Sequence, residues 1–111
     1  MNESILDSVK KILGIPSEYD VFDLDLVMHI NSIINVLAQI GIGPADGYSI
    51  TDNTATWADF LGDTRGVEMI KTYIALRVRL IFDPPTSSAV MEALKAQIQE
   101  LEWRLNIQAE Q

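Results

Sequence analysis

Few residues in this chain could do chemistry: one histidine, sixteen carboxylates, a handful of serines and no cysteine. Without cysteine there is no thiolate nucleophile, no disulfide and no zinc–sulfur site. His29 follows Asp25 by one helical turn, so an Asp–His pair is geometrically open, and a serine would complete an acyl-transfer triad. No serine, however, stands in a Gly-x-Ser-x-Gly elbow. An acid one turn before a histidine is also an ordinary local pair on a helix, and that reading is preferred. Asp20, Asp23 and Asp25 could ligate a hard cation, but the run lacks the glycine and terminal glutamate of a calcium loop. Helix starts favour such acids anyway. The segment GIGPADG has neither the lysine nor the glycine spacing of a phosphate loop. No metal, no cofactor and no enzymatic activity are expected.

Charge narrows the remaining classes. The chain has 111 residues and a net charge of −8, and the excess is segregated. Ten acids and two bases lie in residues 1–64, with no Lys or Arg from Ile12 to Thr64, while residues 65–111 are neutral. Such a field repels phosphates and argues against specific nucleic-acid binding. Arg65, Lys71, Arg77 and Arg79 share one helix but are balanced by local acids, without a basic stripe of interleaved aromatics. The acidic half is either a solubilising surface, or a face that must shed DNA or meet a basic partner. No apolar run approaches the roughly 20 residues of a membrane span. The opening MNESILDSVKKIL does not read as a signal peptide, so a soluble protein made inside the cell is expected.

The elements that must position these residues read as all-α: a single domain over 1–111, a small bundle of four main helices plus a short helix, with an extended loop at 41–53. The first helix is predicted from about Glu3 to Leu13, on Ile5, Leu6, Val9, Ile12 and Leu13, with Gly14 and Pro16 ending it. The second begins near Asp20, which can cap, and carries Leu26, Ile30, Ile33, Leu37 and Ile40 as its stripe. The loop GIGPADGYSITDN is rich in turn residues, with Tyr48–Ile50 as a short extended piece; it contacts a neighbour or is a plain surface excursion. TWADFL reads as a short helix capped by Thr56, with Trp57, Phe60 and Leu61 plugging the core. A central helix is predicted from Thr64 to Phe82, on Val67, Ile70, Tyr73, Ile74, Val78 and Ile81. Its Arg77 and Arg79 should snorkel or pair with acids of the first half.

Asp83, Pro84 and Pro85 then stop that helix, because proline lacks a donor and disfavours α geometry in the residue before it. A last helix is predicted from Ser87 to Asn106, on Val90, Leu94, Ile98, Leu101 and Leu105, with a tail that frays in an isolated monomer. Trp103 falls off this stripe, near Gln99 and Glu100. A large aromatic in such a place is either covered by another segment or buried against a partner.

The order of ILGIP, a capped helix ending in GIGP, TWADFL, FDPPTSSAVMEAL and ELEWRLN resembles the head–tail connector (adaptor) proteins of tailed bacteriophages and prophages, over nearly the whole chain. The resemblance implies a structural virion protein that forms a ring on the portal, dodecameric by portal symmetry. It implies an extended DNA channel, a docking surface for the stopper or tail-completion protein, and a place in the virion neck after assembly in the host cytoplasm. DNA would pass without specific binding. On this reading some of Asp20, Asp23, Asp25, Asp46, Asp52, Asp59 and Asp63 face the channel. Asp83, Pro84, Pro85, Gln99, Glu100 and Trp103 become candidates for the portal or subunit interface, with Trp103 buried only in the ring. The competing reading is a small acidic phage inhibitor that mimics the charge of DNA. The amphipathic, neutral second half counts against it.

Overall fold

Five helices form over the segments that carry helical stripes, and most of their ends have a local cause. The structure is a computed structural model and describes residues 3–110. Helix α1 (Ile5–Leu13) starts at Ser4, whose hydroxyl accepts from the Asp7 N–H at 3.1 Å. It stops at Gly14, where φ is +80° and the N–H returns to the carbonyls of Lys10 and Lys11.

Helix α2 (Asp23–Gln39) begins two residues later than a cap at Asp20 predicts. Phe22 holds the cap position with no side-chain bond, and the Asp20 carbonyl accepts the Asp23 N–H within a turn. Packing overrides capping here: the Phe22 ring sits edge-on to Phe82 at 5.1 Å and to Tyr19 at 5.8 Å. Helix α3 (Trp57–Leu61) has the full reciprocal cap of Thr56 and Asp59. Helix α4 (Val67–Phe82) starts at Gly66, not Thr64, because the Thr64 hydroxyl donates back to the Leu61 carbonyl and extends the preceding turn. Helix α5 (Ser88–Ala109) is capped by Ser87 and runs past the predicted end at Asn106. The Gln108 amide donates to the Arg65 carbonyl, and Ala109 packs beside Gly41, so this last turn has tertiary partners.

As predicted, α4 is central, packing on α1, α2 and α5. Leu26, Ile30, Ile33 and Leu37 of α2 meet Ile70, Ile74 and Val78 of α4 in one apolar core, which Trp57 and Phe60 close from the side. Ile12, Ile81 and Val90, expected on the stripes, are exposed. Each lies in a terminal turn, beyond the reach of a second layer.

Residues 40–56 are irregular yet anchored. Ile42 and Ile50 are buried, and Tyr48 stacks on Phe60 at 5.0 Å. Gly43 has φ +96°, and a Cβ there would sit 2.7 Å from the Phe60 ring, so the turn admits only glycine. The extended piece expected at 48–50 has its backbone bonded by Asn31 of α2. The Asn31 amide donates to the Ile50 carbonyl at 2.9 Å, and its oxygen accepts the Ile50 N–H at 2.7 Å. Asn31→Ala is expected to cost about 2 kcal/mol, the loss of two partly buried hydrogen bonds. Hydrogen exchange at the Ile50 amide should accelerate with it; unchanged protection would show that the loop holds itself.

Candidate functional site

The seven candidate channel acids come from four separate places along the chain. They are spread over the start of α2, the 40–56 loop, α3 and the turn before α4, and three of them have work inside the fold. Asp23 accepts a 2.8 Å ion pair from Lys10, whose side chain is only 1% exposed and also donates to the Ser17 carbonyl at 2.9 Å. Asp59 accepts the Thr56 N–H at the start of α3. Asp52 accepts the N–H and hydroxyl of Thr54, which hold its carboxyl below the usual range. Asp20, Asp25, Asp46 and Asp63 are exposed and make no ion pair among the described residues.

The helix carrying Trp103 is held by a polar brace. Arg77 donates to the Tyr73 hydroxyl at 2.6 Å and to Glu102 at 3.2 Å, and the Tyr73 hydroxyl donates to Glu102 at 2.7 Å. Burial, then the bond to Glu102, pushes the Tyr73 pKa up to about 12, so the hydroxyl stays a donor. Arg77 therefore pairs with an acid of α5 and not with the acidic first half. Sequence spacing could not reveal this, since the partner is 25 residues away. The buried Leu94, Ile98 and Leu105 set which face of α5 meets the core, the brace adds a polar tie to it, and Trp103, the residue after Glu102, faces outward.

Trp103 is 61% exposed, and no described segment covers it. Of the two alternatives open in the sequence, cover by another segment is not found among the described residues. The indole borders an open groove of about 750 Å³ between the last turns of α5, the start of α4 and Gly41–Gly43. Met69, Trp103 and Ile107 supply its apolar surface, Arg65 and Arg104 its charge, and no acid lines it.

A second uncovered surface escaped the sequence reading. Leu24 is 82% and Met28 62% exposed on the outer face of α2, with Val21 and Tyr19 exposed just before them. The available signal was two apolar residues four apart on the side of α2 opposite the Leu26–Ile30–Ile33–Leu37 stripe.

The family model for phage connector proteins matches residues 5–111. The chain belongs to the phage connector family. No curated protein and no solved structure matches it. A connector is a structural protein of the virion neck, so its working parts are surfaces. No helix among the described residues is long and apolar enough to cross a membrane. The described residues also hold no group of three side chains able to ligate a metal.

The connector's candidate interface residues fall into two places. Asp83 and Pro84 are exposed at the elbow between α4 and α5, and the contact of Phe82 with Phe22 sets that elbow beside the start of α2. Trp103 lies toward the other end of α5, about 22 Å from Ser88 at about 1.5 Å rise per residue. Gln99 and Glu100 are exposed near Trp103, and Glu100 accepts an ion pair from Arg104 at 3.0 Å. The elbow and Trp103 are thus opposite ends of one rigid helix.

Proposed function

We propose that this connector forms a ring beneath the portal, extends the DNA channel and offers the surface on which the stopper or tail-completion protein docks. The observation that carries this reading is the uncovered Trp103 groove on a member of the connector family. A solvated tryptophan beside an apolar groove is a poor end state for a free chain and a common energetic anchor in a complex. A dodecamer is expected because the ring would follow the portal's symmetry. Mass measurement of a purified portal ring with and without the chain tests this. A defined multiple of the chain mass added to the portal supports the ring, and no added mass overturns it. A stable monomer that instead captures a nuclease or polymerase would favour the DNA-mimic reading. That reading is weakened by the neutral, amphipathic second half and by the three acids that serve the fold.

The channel acids follow from the same reading. Those without a structural partner, Asp20, Asp25, Asp46 and Asp63, are the candidates for a lumen that repels the phosphate backbone and lets DNA slide. Replacing the lumen-facing members by lysine should slow DNA ejection several-fold, more at low salt than at high. Ejection at the original rate would remove the acids from the mechanism.

A further inference from the structure

A closed ring needs two different surfaces on each copy, because head-to-tail contacts join one patch to another. This connector exposes two that differ in sign. In sequence the exposed charges beside Leu24 and Met28 are Glu18, Asp20 and Asp25, in a stretch that holds no Lys or Arg. The Trp103 groove carries Arg65 and Arg104 and is lined by no acid. Arg65 makes no ion pair among the described residues, whereas Arg104 already has Glu100. The two patches also lie far apart. The end of α2 reaches the groove through Gly41, and Met28 is thirteen residues earlier, about 20 Å along the helix. One copy therefore cannot fill its own groove with its own α2.

We propose that the groove of one copy receives the outer face of α2 from the next, with Leu24 and Met28 against Trp103 and Ile107, and Asp25 facing Arg65. The proposal rests on the ring reading above and names the occupant of the groove: a second copy of this chain, not the portal. Pairing like patches would set acid against acid or arginine against arginine, which opposes a two-fold dimer. Asp25 then belongs to the subunit interface, which leaves Asp20, Asp46 and Asp63 for the channel.

The chain has no cysteine, so introduced thiols report cleanly. Met28→Cys/Ile107→Cys, assembled on purified portal and oxidised mildly, should give a ladder of covalent multimers whose links join position 28 of one copy to position 107 of another. Links of 28 to 28 only, 107 to 107 only, 107 to portal, or no links in a fully occupied ring would overturn the proposal. Failure of the unmodified chain to attach to portal would sink the ring reading instead. If the double-cysteine variant alone fails to attach, charge reversal decides. Asp25→Arg and Arg65→Asp should each weaken ring assembly by about tenfold or more, and their combination should restore most of it. A combination no better than the worse single change overturns the pairing.

Discussion

Asp23→Ala should destabilise the connector by about 3 kcal/mol, whereas Asp20→Ala, three residues earlier, should stay within about 0.5 kcal/mol. Both are acids at the start of α2, and sequence alone gives them one role. The structure separates them by what faces each carboxylate. Lys10 is almost completely enclosed, and among the described residues its ammonium has Asp23 and the Ser17 carbonyl as partners. Removing the carboxylate strands a buried cation, and the desolvation penalty remains without the attraction that offset it. Asp23 is itself one-third exposed, so the converse change is milder. Lys10→Met fills the slot with an apolar chain and leaves an acid that water can reach, for a loss of about 1 kcal/mol. Lys10→Met with Asp23→Asn should be nearly neutral, because no charge is then left unpaired. At about 5 °C per kcal/mol for a domain of this size, Asp23→Ala lowers Tm by roughly 15 °C. Thermal unfolding of the four variants measures the cycle. An Asp23→Ala midpoint within a few degrees of Asp20→Ala would show that Lys10 finds another partner.

The contrast between these two acids also marks how far the sequence can be read. Helix existence follows from apolar spacing, because each stripe must be buried, and every predicted helix is present. A local cap is legible where it acts within three residues, as Thr56 does, yet Ser4 caps α1 although the spacing predicts a helix that already includes it. What the sequence hides is pairing over distance. Lys10 with Asp23, Asn31 with Ile50 and Arg77 with Glu102 join residues separated by 13, 19 and 25 positions. In each case the local pattern does not name the partner, and for Arg77 it points to the acids of the first half instead. The start of α2 was misplaced because aromatic packing of Phe22 on Phe82 outweighs a cap at Asp20. The last turn of α5 was missed because its partners, the Arg65 carbonyl and Gly41, are remote in sequence. The two uncovered apolar surfaces were half legible. Trp103 announced itself by falling off its stripe, while Leu24 and Met28, on the side of α2 opposite its buried stripe, were not singled out.

Trp103→Ala is expected to leave the folded chain intact and abolish its assembly, and that dissociation of effects is the strongest test of the groove. Within the chain the indole touches little: it is 61% exposed, and its truncation opens no internal cavity. Alanine also favours helix over tryptophan by about 0.5 kcal/mol, so Tm should hold or rise slightly. In a complex the balance reverses. A central tryptophan contributes about 2 kcal/mol or more at an interface, roughly 30-fold in affinity per contact. A closed ring repeats that loss at every subunit boundary, so a modest defect per contact empties the ring. Trp103→Phe keeps an aromatic in the groove and should retain a measurable fraction of assembly. The brace gives an independent handle on the same surface. Arg77→Met leaves Trp103 and the Tyr73–Glu102 bond in place but removes the guanidinium from both partners, so α5 is held less firmly and assembly should weaken while the indole remains. Ring formation on purified portal, read by mass beside thermal unfolding, separates these cases. A Trp103→Ala chain that unfolds early would make the residue part of the fold, and one that assembles normally would clear the groove of any role.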